Sequence, residues 1–91
     1  MNETNYPLNM PHAIYRLNSV KLCSGLSRAT LYLRIKQGLW TSPVRLGGRA
    51  VGWPAREVEM LNASFIAGRS NSEIMTLVTK LQADREMADK Q

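Results

Sequence analysis

Between Pro43 and Trp53 the chain leaves helical spacing for β-type spacing, and this switch narrows the folds open to it. Val44-Arg45-Leu46 and Ala50-Val51-Gly52-Trp53 are short β-type runs on either side of Gly47-Gly48-Arg49. The glycines allow the positive φ angles of a tight turn, so the two runs read as a hairpin. A lone hairpin is marginal in water and must lean on an apolar neighbour. In this chain the neighbours on offer are helical.

Two short helices precede the hairpin. Asn18 or Ser19 can cap the first, which carries Val20, Leu22 and Cys23 and stops at Gly25. Ser27 caps the second, because its side-chain oxygen can accept from an N–H of the first turn. Leu31 and Ile35 lie four apart on the inner face, and Gly38 supplies a left-handed C-cap. Helix, glycine-containing turn, helix is the helix-turn-helix pattern, and a hairpin after it is a wing. Beyond the wing, Pro54 suits the first helical position. Val58, Leu61, Phe65 and Ile66 then form one apolar face up to Gly68. Ser70-Asn71-Ser72-Glu73 matches a capping box, and Ile74, Leu77, Val78 and Leu81 recur at amphipathic helical spacing. After Leu81 the pattern fades and the end is expected to fray.

The expected fold is therefore mainly α with a small β-hairpin wing, a winged helix-turn-helix. Ninety-one residues suffice for one domain and not for two. Residues 1–14 read as an N-terminal arm open to disorder, with structure starting at Tyr15. Residues 15–68 read as the winged helix-turn-helix and 69–91 as a C-terminal amphipathic helix.

Charge points to a partner. From Thr4 to Arg56 there is no Asp or Glu, yet Arg16, Lys21, Arg28, Arg34, Lys36, Arg45, Arg49 and Arg56 lie there. Glu57, Glu59, Glu73, Asp84, Glu86 and Asp89 follow, so the net charge of +5 originates in the first part. A small domain that gathers positive charge and omits acids suits a polyanion. Double-stranded DNA is the commonest, since each neutralised phosphate releases condensed counterions. The later acids are expected on helix faces, solvated or paired at i,i+4.

The motifs resemble the AlpA family of small phage- and prophage-associated regulators, related to MerR-like winged helix-turn-helix proteins and to phage excisionases. The resemblance rests on Arg16-Leu17, Gly25-Leu26-Ser27-Arg28-Ala29-Thr30-Leu31-Tyr32, Ile35-Lys36-Gln37-Gly38 and, most specifically, Pro43 to Trp53. It covers about residues 16–66. It implies site-specific DNA binding, either as a transcriptional regulator of integrase genes or as a recombination directionality factor in excision. It also implies self-association on tandem DNA sites and an integrase or other recombination protein as partner. The chain departs from the family pattern in two places. Leu33-Arg34 stands where Arg then Leu is usual, and Thr41 where Pro is usual, so a relative's target sequence does not transfer.

The expected DNA-binding residues are Ser27, Arg28, Thr30, Tyr32, Leu33, Arg34, Lys36 and Gln37 on the recognition helix 28–37. Arg45 and Arg49 on the wing 44–53, and Arg56 after it, complete the set. On a helical wheel Ala29, Leu33, Lys36 and Gln37 fall opposite Leu31 and Ile35, with Arg28, Tyr32, Thr30 and Arg34 on the flanks. That outer face is what a recognition helix offers a major groove. Leu33 is either a plain surface residue or a contact for a thymine methyl. Ser27 and Arg28 suit a phosphate at a helix start. Lys36 and Arg34 could meet phosphates or guanine edges, and Tyr32 could meet phosphate or cover the wing. Arg45, Arg49 and Arg56 are expected to grip backbone rather than read bases. Trp40 and Trp53 are expected to close the core between helix and wing.

Other classes fit less well. No nucleophile–base pair, carboxylate pair in the basic part or metal-ligand cluster is present in the sequence, so neither an enzyme nor a cofactor is expected. Cys23 stands alone, which excludes an intrachain disulfide, and is expected to be a small buried hydrophobe. His12 belongs to the polar arm. No apolar run nears the ~20 residues of a membrane span, and MNETNYPLNMPH lacks a signal-peptide layout. A reducing, cytoplasmic setting is expected, without membrane contact. The alternative is a protein-interaction module, in which the stripe Ile74–Leu81 seats a partner instead of packing against the Val58–Ile66 helix.

Overall fold

The computed structural model describes residues 12–90. Most of the proposed arm, residues 1–11, lies outside them. The described elements run β1 (Ile14–Tyr15), α1 (Leu17–Ser24), α2 (Arg28–Gln37), β2 (Val44–Gly47), β3 (Ala50–Pro54), α3 (Ala55–Ile66) and α4 (Asn71–Asp84). A 3₁₀ segment, Arg85–Lys90, follows α4. The result is mainly helical with a small antiparallel sheet, a winged-helix type of fold.

The wing forms where the spacing switch places it. Val44 pairs with Gly52, Arg45 with Val51 and Gly47 with Ala50, with an irregularity between Arg45 and Gly47. Gly48 opens the two-residue turn at φ 53°, a conformation that this position of a tight hairpin demands. The sheet has a third strand that the hairpin signal does not announce. Ile14 pairs with Pro54 and Tyr15 with Trp53, giving the order β1-β3-β2. Ile14 is therefore strand rather than arm. Gly52 makes room for it, because a Cβ there would stand 2.6 Å from Ile14 Cγ2 and 3.0 Å from the Tyr15 carbonyl oxygen.

This strand also resets the start of α1. The helix begins at Leu17 with extended Arg16 as its N-cap, so Asn18 and Ser19 lie inside the first turn instead of capping it. Pairing with β3 sets the path into the helix, and Arg16 Nε extends the tie by donating to the Val51 carbonyl at 2.9 Å. Further caps follow the expected chemistry. Ser27 accepts from the Thr30 N–H, Gly38 closes α2 at φ 79°, and Ser70 with Glu73 forms a reciprocal capping box. Pro54 sits one residue earlier than expected, as the N-cap of α3.

One core joins all the helices to the sheet. Val20, Leu31, Trp40, Trp53, Val58, Leu61, Ile74, Val78 and Leu81 are buried together. Burying each aliphatic side chain of this kind contributes about 1.5–3 kcal/mol. Three expectations need correction. Cys23 is exposed, as is Leu22 at 85 %. α1 buries Val20 alone, and its last turn is tied to α3 by a polar bond from the Asn62 amide to the Cys23 carbonyl. Ile66 is 86 % exposed, because it lies about 140° round the wheel from Leu61. Glu57 is neither solvated nor paired at i,i+4. It is 3 % exposed and bound by Arg85, twenty-eight positions on. Lys80 and Asp84 do form the i,i+4 type of pair, at 2.8 Å.

Candidate nucleic-acid interface

α2 is held on three sides and open on the fourth. Leu31 and half-buried Ile35 face the core. On one flank the Tyr32 ring meets Trp53 of β3 edge-on, with centroids 6.3 Å apart, and the Arg28 guanidinium lies 5.0 Å from the Tyr32 centroid. On the other flank the Arg34 guanidinium lies 4.4 Å from the Phe65 ring, which itself stacks on Trp40. Between these flanks Ala29, Leu33, Lys36 and Gln37 are exposed, Leu33 at 52 %. The ridge on the wheel is thus the free surface of the folded helix.

The expected residues divide by how free they are. Arg28, Leu33, Lys36, Gln37, Arg45 and Arg49 are exposed. Arg49 sits in the turn at the wing tip, and Arg45 lies across from Val51 on the strand that leads there. Tyr32 is half-buried and couples α2 to the wing. Ser27 is committed to the cap: its Oγ accepts from the Thr30 N–H at 3.1 Å and donates to Thr30 Oγ1 at 3.0 Å. Thr30 keeps its own hydroxyl proton for an outside acceptor. Arg34 is half-buried over Phe65 on the flank away from the wing, a contact of the cation–π type worth roughly 0.5–1 kcal/mol where exposed.

Arg56 is exposed but stands apart. It lies close enough to Asp84, beside the end of α4, to help Lys80 hold that carboxyl below its ordinary range; the Lys80 hydrogen bond is the larger cause. Arg16 joins the surface without having been expected there. Its bond to Val51 brings it to the residue opposite Arg45. The acid-free run contains Arg16, but only the pairing of β1 with β3 brings it to the wing.

Tyr15 pairs with Trp53 in the sheet, and burial first, then the nearby Cys23 and Glu59, raises its phenol pKa above 10.0. That leaves it a neutral hydroxyl across the physiological range. Among the described residues no group of three His, Cys, Asp or Glu is placed to hold a metal ion. Among them too, no helix is long and apolar enough to cross a membrane.

The class is a small winged helix-turn-helix whose second helix and wing are packed into one surface. Within that class, the chain belongs to the family of the prophage CP4-57 regulatory protein (AlpA), whose sequence model matches residues 13–61. The match runs from just before β1 to the middle of α3. That family is one of phage regulatory proteins. The chain is also similar to "Uncharacterized protein ORF88" of Enterobacteria phage P4, 43 % identical over 54 residues, covering 59 % of this chain and 61 % of the relative. The aligned part is under two thirds of that relative's length. No solved structure matches the chain.

Proposed function

We propose that the protein binds double-stranded DNA, with the α2 ridge in the major groove and the wing along a neighbouring backbone. The observation that carries this is the joint surface. Exposed Lys36, Gln37 and Leu33 lie on one helix, exposed Arg45 and Arg49 on the hairpin, and Tyr32 against Trp53 fixes one to the other. No acid occurs in the sequence between Thr4 and Arg56 to oppose a phosphate. Leu33 and Lys36 are assigned to base edges, and Arg45, Arg49 and Arg28 to phosphates. Arg34 and Arg56 are assigned lesser parts, since one stacks on Phe65 and the other faces Asp84.

Transcriptional regulation and assistance to excision would use the same surface. In the second role an integrase or related recombination protein is the partner, and several copies fill tandem sites. A single module of this size buries roughly 600–1,000 Å² on DNA, which favours multiple copies for useful occupancy. Catalysis has no part in this function.

Titration of a labelled duplex at two salt concentrations tests the proposal. The log–log slope of affinity against salt is expected at about −4 to −6, for roughly five or six neutralised phosphates. Affinity that is absent, or unchanged by salt, defeats it.

A further inference from the structure

The wing leaves the body of the protein at Ser42 and returns to it at Glu57, and one side chain grips both points. Arg85 Nη2 donates to the Ser42 carbonyl at 2.6 Å and to Glu57 Oε1 at 2.7 Å, while its Nε donates to Glu57 Oε2 at 2.8 Å. Gln82 adds a second hold, its Oε1 accepting from the Ser42 N–H at 2.7 Å. Both backbone polar groups of Ser42 are therefore bound from the end of α4. The Glu57 side chain is 4 % exposed and that of Arg85 22 %.

We infer that Arg85, supported by Gln82, is a positioning residue that sets the wing's angle against α2. The inference rests on the DNA-binding reading above and says how its second contact is aimed. Attachment of α4 to the body does not require these bonds, since Ile74, Val78 and Leu81 already bury it in the core. Stability alone does not call for a buried ion pair either, because well-packed apolar residues of similar volume generally serve as well or better. What an apolar pair cannot do is hold the Ser42 carbonyl in a fixed direction.

That direction matters because the hairpin is a lever. Four residues of strand place the tip about 13 Å from its base, so a 15° tilt displaces Arg49 by roughly 3 Å, enough to break a phosphate contact. Ser42 and Glu57 lie inside the segment shared with the family, whereas Gln82 and Arg85 lie beyond residue 61, where the match ends. The family portion thus carries the wing, and the C-terminal helix of this chain aims it.

The test is the double variant Glu57→Leu with Arg85→Met in the full chain, which removes the clasp while filling its space. Amide exchange and binding to a 20-bp mixed-sequence duplex are both measured. The amides of Val44, Arg45 and Val51 are expected to exchange about tenfold faster, as losing one or two hydrogen bonds implies, with those of Leu31 and Leu61 unchanged. The salt slope should become shallower by about 1 to 2, the loss of one or two phosphate contacts. Arg49→Ala added to the double variant should then weaken binding little further. Uniform exchange and an unchanged slope overturn the inference.

Gln82→Ala, which spares the ion pair, should shift the same readouts in the same direction and serves if the double variant fails to fold. If the unaltered protein does not bind the duplex, the DNA reading falls. Exchange then decides the clasp alone, a rise confined to the wing upholding it and a uniform rise overturning it.

Discussion

The first pair of helices and the last pair are built on opposite plans. α1 buries Val20 and α2 buries Leu31, one side chain each. α3 buries Ala55, Glu57, Val58 and Leu61, and α4 buries Ile74, Val78 and Leu81. The first pair lies in the acid-free run, and every acid after Glu3 lies in the second pair or just after it. A face left open cannot also be buried, so the first pair of helices contributes little core of its own. It borrows stability from the second half through Trp40 and Trp53, both fully buried between the two. The molecule is an open basic surface mounted on a separate support.

The same substitution made in each half is the hardest test of that division. Leu81→Ala removes a side chain that is 1 % exposed and is expected to destabilise by about 2–5 kcal/mol. In a domain of this size that lowers Tm by roughly 10 °C or more. Leu33→Ala, on the open ridge, should stay within about 0.5 kcal/mol while changing which DNA sequences are preferred. Equal thermal losses at the two sites would erase the distinction between support and surface.

The clasp between the halves gives the next effect. Arg85→Ala leaves Glu57 buried without a partner, which generally destabilises by about 3–5 kcal/mol. Because Arg85 is itself partly exposed, solvent screening brings the expected loss below that range, to about 2–3 kcal/mol. Denaturant unfolding should show most of that loss recovered in the Glu57→Leu, Arg85→Met pair. No recovery would mean that the charge pair itself, not the unpaired carboxylate, sets stability.

Local chemistry made much of this legible in the sequence. Ser27, Gly38, the Ser70–Glu73 box and the Gly48-Arg49 turn act within a few residues of chain, and each forms where those residues dictate. The ridge of Leu33, Lys36 and Gln37 was legible because helical period fixes it once Leu31 and Ile35 are known to face inward. Long-range partners were not. Ile14 becomes a strand only because Gly52 admits it, Arg16 reaches the wing only through Val51, and Glu57 finds Arg85 across twenty-eight positions. Spacing alone places Cys23 and Ile66 inside, but a short helix and a last turn do not have neighbours on every side their pattern suggests.

The loop joining the two halves offers a smaller test, of opposite sign. Thr41 is fully buried and its Oγ1 has no hydrogen-bond partner, although its carbonyl accepts from Trp53 Nε1 at 2.8 Å. Thr41→Val removes the stranded hydroxyl, keeps the shape and leaves that carbonyl bond in place. It should stabilise by about 1 kcal/mol, seen as a Tm raised by roughly 4–8 °C. A lowered Tm would show that Oγ1 has a partner, such as a bound water.

Acid should loosen the two halves unequally, and this is the smallest effect. The Glu73 carboxylate accepts from the Ser70 N–H at 2.9 Å. That bond, then the Ser70 hydroxyl and nearby Arg69, holds its pKa below the ordinary 4.5. A carboxyl lowered on folding contributes stability that is fully present above its unfolded value and lost as pH falls through the folded one. Asp84, lowered chiefly by its hydrogen bond from Lys80, behaves alike at the far end of α4. From Thr4 to Arg56 there is no carboxylate to titrate. Lowering the pH from 6 to 3 should therefore reduce amide protection first at the start of α4, with α1 and α2 following only when the shared core yields. Glu73→Gln keeps an acceptor for the Ser70 N–H but cannot titrate, so it should flatten the response at residues 71–76 while leaving the neutral-pH cap nearly intact. If that variant keeps the wild-type pH response there, the acid sensitivity belongs to another group and the two halves are not separated by their carboxylates.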